Sequence, residues 1–405
     1  MKKQLFLFTF ILVLATNLLA QGTWIQQSSL ERYGRYLAIG FTLNNKGYVG
    51  LGQVTGGYHK YDFWEFNPLT HAWIQKADYP GGGSYGVTGF AINGKGYVCL
   101  GQDSLNVIHN DLWEYDPILD SWTQKASFPG TARYGATCFV VGNTAIVGTG
   151  SMGNSGAYLS DLWAYSPSSN TWTQKNDFPG GPRSHAGAFT VNGYAYMGTG
   201  LTNGGGSSGD LWKYFPSSDS WSSCANLPGP SRMAVSCFAI GNLGYLGMGF
   251  DMTYHHNDFY SYNPFTNAWL PVTQDTNIIE RHAAFSFTIQ DTAYVGAGKT
   301  YNAFLMQDMW AFVPDPSTSI HENIGMKPGI SIFPNPASAR IFIQTHGLNY
   351  DRSIVISDLS GKEIIKQSLS KEIEEINSEM LPEGMYFVRL VSQDAVLDTK
   401  FIKIK

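Results

Sequence analysis

Asp161-Leu162-Trp163-Ala164-Tyr165 is one of six copies of the same segment. The others are Asp62-Phe63-Trp64-Glu65-Phe66, Asp111-Leu112-Trp113-Glu114-Tyr115, Asp210-Leu211-Trp212-Lys213-Tyr214, Asp258-Phe259-Tyr260-Ser261-Tyr262 and Asp308-Met309-Trp310-Ala311-Phe312. Successive Asp residues stand 48–50 positions apart. A second ladder follows nine residues on, at Trp73, Trp122, Trp172, Trp221 and Trp269, with an unpartnered rung at Trp24. All 11 Trp of the chain fall on these two ladders, so tryptophan serves the repeat and nothing else. A period near 50 residues, built from short β-rich segments, predicts an all-β array in which each copy is one small sheet.

Residues 183–200 show the unit best. Arg183-Ser-His-Ala-Gly-Ala-Phe-Thr-Val and Tyr194-Ala-Tyr-Met-Gly-Thr-Gly flank Asn192-Gly193. Asn-Gly between β-rich runs predicts a tight hairpin, because a type I′ turn needs φ > 0 at both central residues. Asn93-Gly94, Gly142-Asn143 and Gly241-Asn242 repeat the signal. The Asp-x-Trp run is then the third strand, and the second-ladder Trp opens the fourth. First strands carry Phe41, Phe90, Phe139, Phe189, Phe238 and Phe287. Small residues precede each Phe and point to the opposite face, where inner strands crowd an axis. Six hairpins and six Asp-x-Trp strands count six blades. The last lacks a fourth strand, while residues 23–28 form an orphan one. Joining the two closes a six-bladed β-propeller over 21–313 and leaves few open edges.

The flanks read differently. Lys2 and Lys3, an apolar run from Leu5 to Leu14 and Ala20 predict a signal peptide over 1–20. No later segment is apolar and long enough to span a membrane. Residues 314–327, with Pro314, Pro316 and a Ser/Thr run, read as a linker. Residues 328–405 hold 9 Lys+Arg and 10 Asp+Glu in 78 residues and no Trp, against 15 and 21 in the 307 residues before them. That shift marks a second domain, and its alternating strands predict a small antiparallel β-sandwich. Net charge of −5 without a basic run argues against nucleic acid as a partner. Cys99, Cys138 and Cys237 fall in repeat slots otherwise filled by small residues, which favours buried thiols. Cys224 and Cys237 are the pair to consider for a disulfide.

The repeats resemble the kelch family over residues 22–313, with the second strand ending Gly-x-Gly in place of the usual double glycine. Phe333-Pro-Asn-Pro336, Asp358-Leu-Ser-Gly-Lys362, Leu381-Pro-Glu-Gly-Met-Tyr386 and the basic strand at 400–405 resemble the sorting domain of type IX secretion substrates. That resemblance implies a bacterium of the Bacteroidota type, contact of residues 328–405 with the type IX machinery, and delivery to the outer surface or beyond. It also implies removal of the tail with attachment to surface polysaccharide. Kelch propellers serve as enzymes and as binding platforms, so the fold alone does not decide function.

Arginine is the sharpest candidate. Arg35, Arg133, Arg183, Arg232 and Arg281 share one repeat position, six residues before the Phe, where the second copy has Ser84. This position opens the innermost strand, so the five should ring one channel mouth. Two readings stand: the guanidiniums hold an acidic ligand, or they pair with the repeated Asp. In similar kelch binding domains, arginines there contact acidic ligands. Loops on the same face carry Tyr58, His59, His109, Tyr158, Tyr254, His255, His256 and Tyr301, while His185 and His282 follow ring arginines. Aromatic rings beside charged donors suit a glycan or an acidic peptide. His255-His256 has no further Cys or carboxylate at ligand spacing, so no metal is expected, and no cofactor fingerprint is present. The first reading is a surface binding module. The alternatives are an enzyme on an acidic sugar, similar to exported six-bladed kelch mutarotases of sialic acid, or a structural envelope protein.

Overall fold

The computed structural model describes residues 22–30, 32–153, 156–315, 329–333, 337–346, 352–369, 373–392 and 396–404. Residues 1–20, most of the linker and Pro334–Pro336 of the Phe-Pro-Asn-Pro motif lie outside them. The chain divides into two compact units, Met1–Thr318 and Ser319–Lys405.

The first unit is a six-bladed propeller of four-stranded antiparallel sheets. In the fourth blade, Gly187–Val191, Tyr194–Gly198, Leu211–Phe215 and Ser220–Ser223 pair in chain order. Asn192 and Gly193 have φ of 51° and 76°, and Asn93 and Gly94 of 52° and 74°, the two positive values a type I′ hairpin requires. The last blade takes its outer strand from the start of the unit. Gly22–Gln27 pairs antiparallel with Met309–Pro314, Trp24 standing opposite Phe312.

The two tryptophan ladders have separate jobs. First-ladder indoles donate to their own Asp: Trp64 to Asp62 at 2.9 Å, Trp163 to Asp161 at 2.8 Å, Trp310 to Asp308 at 2.8 Å. Second-ladder indoles reach back to a carbonyl between blades. Trp73 donates to Ser28, Trp122 to Ala77, Trp172 to Ala126 and Trp269 to Ala225, all at 2.8–3.0 Å. Between blades, Phe41, Phe189 and Phe287 lie over Gly96, Gly244 and Gly47 of the next blade. The Phe41 ring sits 2.8 Å from where a Cβ on Gly96 would be. The six Phe are 3–6 % exposed, which removes their full apolar area from water.

A second closure runs around the axis. The residue two after each ring position adopts positive φ: Leu37, Gly86, Gly135, His185, Ala234 and Ala283, at 50–62°. Each amide donates to the carbonyl of the preceding blade's counterpart, and Leu37 closes the cycle onto Ala283, at 2.7–3.3 Å throughout. Four of the six are not glycine, so the left-handed backbone costs roughly 1 kcal/mol at each, offset by a hydrogen bond that could not otherwise form.

The second unit is a sandwich. A three-stranded sheet of Gly329–Phe333, Arg340–His346 and Ile373–Asn377 faces a four-stranded one of Glu363–Leu369, Arg352–Ser357, Gly384–Ser392 and Val396–Lys403. Ile341, Ile343, Ile354, Ile356, Val388, Leu390 and Phe401 form its core. The cysteines are all free, Cys224 and Cys237 included.

Candidate functional site

The mouth of the propeller hangs from the arginine position. Arg35, Arg133, Arg183, Arg232 and Arg281 are 0–1 % exposed. Each makes two parallel hydrogen bonds to the Asp of its own blade: Asp62, Asp161, Asp210, Asp258 and Asp308. Nη1 to Oδ1 measures 2.5–2.7 Å and Nη2 to Oδ2 2.9–3.2 Å. Nη1 also donates to the carbonyl of Leu51, Thr149, Thr199, Met248 or Ala297 at 2.7–3.2 Å. Burial works to raise the carboxyls of Asp62, Asp161 and Asp210, and the arginine hydrogen bonds and charge outweigh it, holding all three below the ordinary range. Of the two readings left open by the sequence, the geometry realises the Asp pair. In Arg133, Arg183, Arg232 and Arg281 the Nε is spent as well, on a carbonyl two residues upstream, and only Arg35 Nε stays buried without a partner, so the buried guanidiniums present no carboxylate-binding fork to a ligand.

What the mouth presents instead comes from neighbouring repeat columns. Short pairings carry the sheet toward the mouth: Arg35–Tyr36 with Gln53–Val54, Ser84–Tyr85 with Gln102–Asp103, Arg183–Ser184 with Leu201–Thr202. Single bridges extend the pattern to all six blades and add a third chain segment. Three concentric rows result. The inner row is Tyr36, Tyr85, Tyr134, Ser184, Met233 and His282. The middle row is Gln53, Gln102, Ser151, Leu201, Phe250 and Lys299. The outer row is His59, Ile108, Tyr158, Ser207, His255 and Leu305. Beneath them lies an axial cavity of about 130 Å³, walled by Gly, Ala, Val and Leu with His185 as the polar exception.

The two sides of the mouth differ. On the first blades, tyrosines and amides satisfy one another. The Tyr36 hydroxyl donates to Gln53 Oε1 at 2.5 Å and Tyr85 to Gln102 Oε1 at 2.8 Å. Gln53 Nε2 then meets His59 Nε2 at 2.9 Å, and His59 Nδ1 is a buried atom without a partner. On the last blades, ring nitrogens are left over. His255 and His282 lie 4.8 Å apart, with Phe250 at 4.7 and 5.7 Å. Both nitrogens of His255 and Nδ1 of His282 are buried and unpartnered. Burial first, then His255 and Lys299, pushes His282 down to about 3; burial, His256 and Lys299 lower His255. Both are neutral imidazoles at ordinary pH. The Lys299 ammonium stands 5.1 Å over the Tyr36 ring, with no carboxylate at ion-pair distance among the described residues.

The remaining candidates divide. Tyr58, Tyr254 and Tyr301 are 66–74 % exposed and crown the rim. His109 and His256 are occupied by Asp103 and Asp251, at 3.1 and 3.0 Å. His185 belongs to the axial collar. Its ring packs on Gly135, and burial lowers it to about 4. Tyr36, Tyr85, Tyr134, Gln53, Gln102, Phe250 and Lys299 escaped the sequence reading. Their signal was the column beside the arginine and the one after Gly-x-Gly, which vary too much to look like a motif.

Residues 135–328 match the KLHDC2/KLHL20/DRC7 kelch-repeats domain family, and residues 331–405 match the secretion system C-terminal sorting domain family. No curated protein matches the chain. Among solved structures, that of YjhT superposes with a TM-score of 0.62 at 15 % identity, over 70 % of this chain and 95 % of that one. At that identity the likeness shows the fold alone. The chain is a kelch-repeat β-propeller protein that ends in a type IX sorting domain and is exported through that system to the cell surface or beyond.

Proposed function

We propose that the propeller mouth binds a glycan carrying an acid group. The observation that carries this reading is the cluster of His255, His282 and Lys299. Three buried imidazole nitrogens are without partners, the Lys299 ammonium has no carboxylate at ion-pair distance among the described residues, and exposed Tyr301 lies 6.2 Å from the His255 ring. Buried polar atoms without partners are costly unless something meets them, and a carboxylate or sulfate beside sugar hydroxyls would. Tyr36, Tyr85 and Tyr134 supply aromatic faces to the rest of the sugar. The guanidiniums take no part beyond holding the strands.

Titration calorimetry of the full chain against galacturonate, sialic acid, sulfated glycans, their neutral counterparts and an acidic peptide tests it. Binding of an acidic sugar, weakened at least tenfold by Lys299→Gln and by salt, is expected. Binding of the peptide alone, or no binding of any sugar, overturns it.

The same pair of neutral imidazoles favours a second reading, proton transfer at the anomeric centre of the bound sugar, because a neutral imidazole can accept a proton from a sugar hydroxyl. Exchange between sialic acid anomers followed by NMR decides it. A rate equal to buffer removes catalysis and leaves binding.

A further inference from the structure

Blade two breaks the arginine clamp, and the break has a specific shape. Ser84, 1 % exposed, stands at the ring position held by arginine in the other five blades. Its Asp remains. Asp111 Oδ2 accepts from the Trp113 indole at 2.5 Å and from the Tyr79 hydroxyl at 3.5 Å, but Oδ1 is buried with no partner. In each other blade, Oδ1 takes Nη1 of the arginine, and the same Nη1 takes the carbonyl that Leu100 supplies here.

The neighbours have adjusted without replacing the charge. Tyr79 stands where blades three and four have Phe128 and Phe178. A Cβ on Gly81 would meet its hydroxyl at 2.7 Å, as a Cβ on Gly130 would meet the Arg133 Nη2 at 2.9 Å. The phenol oxygen thus takes the place of one guanidinium nitrogen. Cys99 replaces the glycine of the second strand, and the Leu100 amide lies 3.3 Å from the Asp111 carbonyl, against 2.9–3.1 Å in the other blades. These substitutions restore a donor for Oδ2. None supplies a cation for Oδ1.

We infer that blade two holds a site for a small monovalent cation, seated between Asp111 Oδ1 and the Leu100 carbonyl where Nη1 sits in its sister blades. The donor set is hard oxygen with a single carboxylate, which matches one positive charge better than two. Gly81 packs against the Tyr79 ring beside the site, and a side chain on Gly82 would meet nothing within 4 Å, so the segment that leads into Ser84 brings no bulk of its own. A bound ion would do for blade two what the paired guanidinium does in the other five blades. The inference is independent of the glycan reading.

Thermal unfolding of the full chain tests it, read by tryptophan fluorescence, since every Trp lies in the propeller. Sodium, potassium, ammonium and dilute guanidinium chlorides are compared with choline chloride at equal ionic strength. A saturable rise in Tm with at least one of the four is expected. It should vanish in Asp111→Asn. In Ser84→Arg, which carries its own cation, Tm should be high from the start and indifferent to the salt. No cation-specific rise overturns the site, as does a rise that persists in either variant. Should Asp111→Asn fail to fold, Ser84→Arg decides alone.

Discussion

Arg183 and Asp210 are joined by two parallel hydrogen bonds, Nη1 to Oδ1 at 2.6 Å and Nη2 to Oδ2 at 2.9 Å, with the arginine 1 % exposed. Five such pairs tie the start of the inner strand to the start of the third. Removing one partner strands a buried charge. Arg183→Ala should therefore cost about 3–5 kcal/mol, measured by denaturant unfolding with tryptophan fluorescence. Sugar binding by the folded fraction should be unchanged. A variant of near-native stability that loses ligand would return the arginines to the binding site.

Acid should weaken the propeller in two stages. His185 and His282 are pushed down to about 4 and about 3 in the folded state, against about 6.5 when unfolded. Their folded pKa values are the lower ones, so the unfolded chain binds more protons below pH 6.5. Stability is then flat above about pH 6.5 and falls toward pH 4, by about 1.4 kcal/mol per pH unit for each imidazole that stays neutral. Below that, the depressed carboxyls of Asp62, Asp161 and Asp210 begin to protonate and their pairs are lost. Unfolding free energies between pH 4 and 8 check this. His282→Asn should flatten the slope, and an unchanged slope would show that His282 charges freely in the native state.

Ring closure depends on one indole at the start of the propeller. Trp24 is 7 % exposed, lies 5.0 Å from Phe259 and 4.9 Å from Phe312, and donates to the Thr273 carbonyl at 3.2 Å. It bridges blades five and six as well as completing the latter. Trp24→Ala should cost about 3–5 kcal/mol. Measured destabilisation below about 1 kcal/mol would mean that the axial hydrogen-bond cycle closes the ring unaided.

Gly135 is constrained twice. Its φ is +62°, and a Cβ would lie 2.6 Å from His185 Cε1. Gly135→Ala should destabilise by more than the roughly 1–2 kcal/mol of the left-handed backbone alone. Adding His185→Gly should recover the contact part and leave the backbone part. Failure of the double variant to recover anything would place the whole cost in the backbone.

The architecture was legible because repetition amplifies weak local signals. One Asp-Leu-Trp run says little. Six at a fixed spacing, each followed by a second Trp, leave few folds. The hairpins were legible for a local reason too, since Asn192-Gly193 favours positive φ by itself. The axial collar was not, because Leu37, Ala234 and Ala283 take positive φ against their own preference. Only the hydrogen bond to the next blade holds them there.

The site followed the same divide. Sequence alone placed the arginines, His185, His282 and the rim tyrosines on one face, because register carries position. It could not say whether a guanidinium faces solvent or a carboxylate, since the Asp lies 26–28 residues away and meets it only when strands one and three share a sheet. Tertiary structure decided that five arginines are clamps, that His109 and His256 are taken by Asp103 and Asp251, and that His255 and His282 are left with open nitrogens. The reason is physical. Periodic burial is written into each strand, but which polar atom finds a partner depends on what the other blades bring within about 3 Å.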